Sequence, residues 1–572
     1  MNIRSFATAL KKLFPIVEWL PHYRSGWLRF DLIAAVSVWA LLVPQGIAYA
    51  SIAGVPAQYG LYAALGALVG YALFGSSGQV VTGPSAAVAA VSASVIALWA
   101  KSGSSQWIAY TATLAVAAGL VYLLLGLLRM GWISHFLSGA VLAGFVFGFG
   151  FGLIVDQLPK ILGVPKAHGE SYFRVLVEAV KDIPDTSLVT LAVGVLSILL
   201  LLAFRRFWPK LPRTIVVVVL GIVVSGLLNL QDHGVEIVGK VPTGLPSFVW
   251  PALPKAPLAE VVLGALAIIF IGYSESLAAA KQEGAKHDYE IDASQEMVAQ
   301  GAANAGAGLL GGFAVEGSLS KTTVADTAGQ KTQLASLFTA GLILLTIVLL
   351  ASFFTNLPDA VLGAVVIDAG ISLIKFKEFR YYRLSSRDFA AFAATALVVF
   401  FGGVLAGVIA GVAISLLLLI VSASKTPTQQ LAFDRKDNTY VRVINHPEAE
   451  LIPGVLVVGV HGPLFFADAD NFLDAVAQLV KSNSPHTVVV DLDTVSVMDM
   501  DGARALSKLT KDLQGKHVTV LLARVGKDHT QLLRETGTLD QIGAGNLYQT
   551  VREAVASAQQ AAEAPDESPQ PS

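Results

Sequence analysis

The sequence predicts a polytopic α-helical membrane protein followed by a small α/β domain, and three observations carry that prediction. Of 572 residues, 54% are hydrophobic and only 14% charged, with a mean hydropathy of +0.64, too apolar for a soluble globular chain of this size. Apolar stretches long enough to cross about 30 Å of hydrocarbon recur from Asp31 to Ser424. Beyond Ser424 the pattern changes to charged loops and short apolar runs. The net charge of -2 offers no basic face for nucleic acid, and the absence of cysteine excludes disulfides, thiolate catalysis and cysteine-based metal centres. The histidines lack metal-ligand spacing, and no nucleophilic triad or phosphate-binding glycine loop is present, so neither an enzyme nor a cofactor is expected.

Taken in order, the apolar spans fall near 31–53, 59–75, 84–100, 107–129, 135–156, 186–204 and 213–230, and then near 258–280, 291–313, 318–327, 333–354, 359–374, 388–403 and 404–423. Seven plus seven is an odd number per half, which turns one half upside down relative to the other, the inverted repeat of many secondary transporters. Lysine and arginine agree with this count, because short cytoplasmic loops are enriched in both. Arg4, Lys11, Lys12, Arg24 and Arg29 precede the first span; Arg205, Arg206, Lys210 and Arg213 follow the sixth. Lys281 and Lys286 follow the eighth, and Lys375, Lys377, Arg380, Arg383 and Arg387 the twelfth. All lie inside if the N-terminus is cytoplasmic, and the C-terminal tail is then cytoplasmic too. Met1 to Leu20 carries no signal-peptide pattern, so the first span is expected to serve as the targeting signal.

In the tail, 455–460, 487–492 and 518–522 read as strands buried on both faces, and 468–482, 501–514 and 528–536 have helical spacing. The expected domains are a cytoplasmic segment 1–30, a membrane domain 31–424, an α/β domain 430–558 and a disordered tail 559–572 rich in Ala, Glu, Pro and Ser.

Two interruptions carry most of the chemistry. Thr82-Gly83-Pro84-Ser85-Ala86 and Glu316-Gly317-Ser318-Leu319-Ser320-Lys321 stand where an apolar chain should continue as a membrane helix. A broken helix is tolerated in lipid only where protein or a water-filled cavity satisfies its backbone. A helix beginning in mid-membrane presents unpaired N–H groups and the positive end of its dipole, so facing starts near Ser85 and Ser318 would attract an anion. Ser85, Ser318 and Ser320 add hydroxyls and Lys321 a charge. The competing reading is that both are ordinary loops between complete helices.

In the first span, Gln45 and Tyr49 are four residues apart beside Pro44 and share a face, a polar patch for a cavity; packing through Gly46, Ala48 and Ala50 is the alternative. Glu275 lies inside an apolar span where an unpaired carboxylate is costly. It could carry a coupling proton, help hold sodium, or form a structural ion pair with Lys321. Asp368, near the end of a span, favours pairing with a basic residue at the interface.

At these residues the chain resembles the sulfate permease (SulP) family of anion transporters, whose members end in a STAS domain. The resemblance rests on Pro44-Gln45-Gly46-Ile47-Ala48-Tyr49-Ala50, Thr82-Gly83-Pro84-Ser85-Ala86, Glu275-Ser276 and Gly317-Ser318-Leu319-Ser320-Lys321-Thr322. It continues through Gly329-Gln330-Lys331-Thr332-Gln333-Leu334-Ala335 and Leu357-Pro358-Asp359-Ala360-Val361-Leu362. It implies fourteen membrane segments in two inverted repeats, divided into a core and a gate domain, with the anion between the third and tenth helices. Elevator-like movement and a homodimer are implied as well. Where many relatives read Ser-Arg, this chain has Ser320-Lys321, which keeps the charge but loses the planar fork suited to oxyanions. Met500 and Asp501 occupy the serine positions of the Asp-Ser-Ser-Gly phosphorylation segment of STAS relatives, so that switch is absent and the tail is assigned to assembly or docking of a cytosolic partner.

The expectation is a secondary active transporter of a small anion in the inner (plasma) membrane, with sulfate the default and bicarbonate or a dicarboxylate close behind. Its binding residues would be Gln45, Tyr49, Ser85, Ala86, Ser318, Leu319, Ser320 and Lys321, with Glu275 coupling transport to a proton or sodium. An anion channel and a membrane sensor signalling through the tail are the alternatives.

Overall fold

The computed structural model describes residues 13–132, 138–165, 171–208, 211–239, 244–252, 256–423 and 427–563. Lys210, counted above among the basic residues, and Arg4, Lys11 and Lys12 lie outside them. The contacts divide the chain into Met1–Ser415 and Leu416–Ser572, a boundary inside the last apolar helix rather than after Ser424.

All fourteen expected helices are present. The first half holds α1 (Leu28–Ile52), α2 (Gln58–Phe74), α3 (Ala86–Ile96), α4 (Ser105–Leu127), α5 (Gly139–Asp156), α6 (Leu188–Phe207) and α7 (Arg213–Leu228). The second holds α8 (Leu258–His287), α9 (Ala293–Leu309), α10 (Leu319–Thr327), α11 (Leu334–Leu345), α12 (Asp359–Leu373), α13 (Ser386–Gly402) and α14 (Val404–Ala423). Lys281 and Lys286 therefore belong to the last turns of α8 rather than to a loop after it. The eleventh span ends earlier than expected as an α-helix, passing into a π-turn at Thr346–Leu350 and a 3-10 turn at Ala351–Asn356. Short helices at Leu158–Leu162 and Tyr172–Lys181 lie between the fifth and sixth spans, where no helix was expected.

The packing carries the inverted repeat. In one group α9 lies against α2 and α4, and the counterpart of the latter contact, α11 against α2, is also present. Likewise α10 packs on α1 as α3 packs on α8. In the other group α13 packs on α5 as α6 packs on α12, while α5 and α12 meet each other. The core is thus α1–α4 with α8–α11, and the gate α5–α7 with α12–α14. Glycine marks the contacts where the halves meet themselves. A methyl on Gly66 would lie 2.4 Å from the Gly306 carbonyl and one on Gly306 2.8 Å from that of Gly66; Gly150 and Gly370 stand in the same reciprocal relation at 2.9 Å. Those backbones touch, so neither member tolerates a side chain.

The breaks meet in the same way. Strands β1 (Thr82–Gly83) and β2 (Glu316–Gly317) pair antiparallel, Thr82 opposite Gly317 and Gly83 opposite Glu316. With 11 and 9 residues, α3 and α10 are roughly 17 and 14 Å long, about half of the hydrocarbon thickness. They are half-helices, and the ladder fills the missing halves.

The second unit is an α/β domain with strand order β4-β3-β5-β6-β7-β8, built from β3 (Thr428–Asp434), β4 (Thr439–Arg442), β5 (Val455–Val460), β6 (Thr487–Asp491), β7 (Thr519–Ala523) and β8 (Leu547–Tyr548). β5 to β8 are parallel and the β3–β4 hairpin is antiparallel. Alternate residues of β5 bury on opposite faces. Leu456 and Val458 pack with α15 (Ala469–Asn483), α16 (Met500–Gln514), α17 (Lys527–Glu535) and α18 (Thr538–Ile542). Val455 and Val457 pack with α19 (Val551–Glu563). The expected disorder from 559 is corrected as far as Glu563: burial of Ala554, Val555 and Ala558 against the sheet holds the alanine-rich segment helical, and 564–572 lie outside the described residues.

Candidate functional site

A cavity of about 1270 Å³ opens between core and gate, and every site residue expected from the sequence lines it: Gln45, Tyr49, Ser85, Ala86, Glu275, Ser318, Leu319, Ser320 and Lys321. The core supplies all of them. The gate contributes an apolar wall, including Phe145 and Phe149, whose rings stack at 6.0 Å.

Each residue is placed by local rules. Ser85 is the N-cap of α3, with extended backbone and its Oγ accepting from the Val88 N–H at 3.3 Å. Ser318 is the N-cap of α10 but makes no such bond; its Oγ lies 3.1 Å from the Ser320 Oγ. The first N–H groups of both helices have no intrahelical partner, and both ends face the cavity. Their dipoles and hydroxyls together make an anion-attracting wall.

The rest of the broken backbone is satisfied by side chains. Ser276 Oγ accepts from the Gly317 N–H at 2.7 Å, and Thr322 Oγ1 from the Val81 N–H at 3.0 Å. Asn304 holds both the N–H and the carbonyl of Val315 at 2.9 Å. Gln333 donates to the carbonyls of Ser77 and Val80 at 2.8 and 2.9 Å. These are built half-helix starts within the core, not loops between complete helices.

α1 runs unbroken through Pro44. Both readings of its polar stretch hold at once: Gln45 and Tyr49 face the cavity, while Gly46 meets Gly60 of α2 at backbone distance. The Gln45 Oε1 is buried without a hydrogen-bond partner. Asp368 pairs as expected, accepting from Arg213 Nε at 3.2 Å and Nη2 at 3.0 Å. Lys321 is 2% exposed and has Glu275 and Glu316 as electrostatic neighbours. Among the described residues it forms no close ion pair with either.

Glu316 is the lining residue to which sequence reasoning gave no role. It is 1% exposed and lies beside Glu275 and the Ser85 hydroxyl. Its signal was the one that singled out Glu275, an acid in an apolar stretch.

Residues 28–395 match the model of the Sulfate permease family, and residues 446–554 match the STAS domain. The chain belongs to the sulfate permease family. A probable sulfate transporter of Mycobacterium tuberculosis is 31% identical over 95% of this chain and 97% of its own length. The chloroplastic sulfate transporter 4.1 of Arabidopsis thaliana is 26% identical over 95% of this chain and 82% of its own. Among solved structures, murine Solute Carrier 26 family member A9, an anion transporter in the inward-facing state, superimposes with a TM-score of 0.88 at 25% identity, covering 98% of this chain and 95% of that one. The transmembrane domain of a cyanobacterial bicarbonate transporter, BicA, covers 68% of this chain and 98% of its own with a TM-score of 0.60; at 24% identity it shows the fold alone. This member of the family is thus a membrane transporter and not an enzyme, with fourteen helices in inverted repeats and a C-terminal STAS domain.

In that STAS domain Asp499 caps α16, accepting from the N–H groups of Asp501 and Gly502 at 3.0 and 2.8 Å. Asp501, in a serine position of the phosphorylation segment, is exposed and paired with Arg504 at 3.2 Å. Gly502 is required by packing, since a methyl there would lie 2.1 Å from the Leu464 carbonyl.

Proposed function

We propose that this protein is a secondary active transporter of a small anion in the plasma (inner) membrane, with sulfate the first candidate and bicarbonate or a dicarboxylate the alternatives. The observation that carries the reading is the convergence of two half-helix N-termini, three serine hydroxyls and one buried lysine on a single cavity between core and gate. The name of the mycobacterial relative supports sulfate. Residues from the start of α1, the start of α7 and the end of α12 line the mouth of the cavity, the ends that the basic residues assign to the cytoplasm. The form described is then inward-open. Sliding of the core against the gate would carry the anion across as an elevator, with Glu275 coupling that movement to a proton or sodium. A homodimer, and a STAS domain that docks a cytosolic partner, complete the proposal.

Uptake of labelled sulfate, bicarbonate and fumarate into proteoliposomes, each under a proton or a sodium gradient, tests it. Glu275→Gln is expected to abolish gradient-driven accumulation while exchange remains measurable. Unchanged accumulation in that variant would remove Glu275 from the coupling.

A further inference from the structure

The charge of the cavity is the wrong sign for its cargo. Its charged lining residues are Arg213, Lys321 and Lys375 against Glu275, Glu316, Asp368 and Glu378, three cations and four carboxylates. With all of them ionised the cavity carries one net negative charge. Asp368 is neutralised by Arg213, and Lys375 and Glu378 are exposed at the mouth. The excess therefore sits in the inner group of Glu275, Glu316 and Lys321.

The two inner acids are not equivalent. Glu275 is half-buried, with Lys321 and the Leu319 N–H at the start of α10 among its neighbours. Glu316 is 1% exposed, its carboxyl set beside that of Glu275 and the Ser85 hydroxyl. An ionised carboxylate in that position is unsolvated and next to a like charge. The groups facing it are Tyr49 of α1, Ser85 of α3, Tyr122 of α4, Glu275 of α8 and Lys321 of α10, so a single cation opposes two acids.

We infer that Glu316 is a proton site filled whenever the anion is bound, so that one proton enters with each anion. The proton comes from cavity water on one side and forms the O–H bond of the Glu316 carboxyl. It returns to water on the other side when that bond breaks after anion release. The loaded cavity is then neutral before the anion's own charge is counted.

The inference rests on the transport reading, and the experiment separates the two. Full-length protein and its Glu316→Gln and Glu316→Asp variants are reconstituted, and labelled sulfate is measured both as accumulation under a proton gradient and as exchange at equal concentrations over a range of pH. The unaltered protein should accumulate sulfate, and its exchange should fall by up to about tenfold per pH unit on the alkaline side, the slope of one proton. Glu316→Gln, which fixes the neutral form, should lose accumulation and exchange sulfate without dependence on pH, and Glu316→Asp should restore both. Accumulation and pH dependence persisting in Glu316→Gln would overturn the inference, as would loss of exchange from a variant that melts like the unaltered protein. Accumulation driven by sodium but not by protons would overturn the proton as the ion. Absence of sulfate uptake and exchange by the unaltered protein would instead overturn sulfate transport, on which the inference stands.

Discussion

The strands preceding α3 and α10 pair residue for residue in one antiparallel ladder, yet the two helix starts present different chemistry. At α3 the Ser85 Oγ accepts from its own helix, and the break Thr82-Gly83-Pro84-Ser85-Ala86 holds no ionisable side chain. At α10 the Ser318 and Ser320 hydroxyls are not engaged in capping, and Glu316 and Lys321 flank them. The fold repeats the backbone and with it the dipoles; side chains were free to diverge. Both breaks bring a helix start to the cavity, while of the two only the second carries charged side chains, Glu316 and Lys321.

That comparison can be broken by unequal substitutions. Lys321→Met should have the largest effect, lowering uptake about a hundredfold or more, the order of ~3 kcal/mol expected when buried charges lose their counter-charge. Joint replacement Ser318→Ala and Ser320→Ala should weaken apparent affinity roughly tenfold, at somewhat under ~1 kcal/mol for each hydroxyl, in a concentration series of labelled uptake. Ser85→Ala should cost only about two- to threefold in affinity, together with ~1 kcal/mol of stability from the lost cap, visible as a lower melting temperature. A Ser85→Ala defect larger than that of Lys321→Met would mean that the first break, not the second, carries recognition.

Most of the membrane fold was legible because apolar length and its interruptions are written directly in the residue order. Gln45, Tyr49 and Glu275 were legible for the same reason, as polar groups in apolar surroundings. Phe145 and Phe149 were not: an aromatic side chain in an apolar span looks alike whether it faces lipid or a cavity, and only the packing of α5 against α12 and α13 decides. The role of Glu316 was hidden because a charge beside a glycine break also suits an ordinary loop. The β3–β4 hairpin escaped because Asp434 to Asn438 reads as a generic polar linker, although Asn438 turns it at a φ of 55°. The helix at Tyr172–Lys181 buries only Tyr172, Val175 and Ala179, a stripe too narrow to stand out within a loop of mixed charge.

The ladder between β1 and β2 has one more consequence. It ties the starts of α3 and α10 to each other, and both belong to the core. A bound anion would keep the same two helix ends wherever the core travels. Its affinity would then be nearly equal facing either compartment, and such a carrier runs backwards as readily as forwards. Net direction would come from the gradients outside the protein and from nothing built into the site.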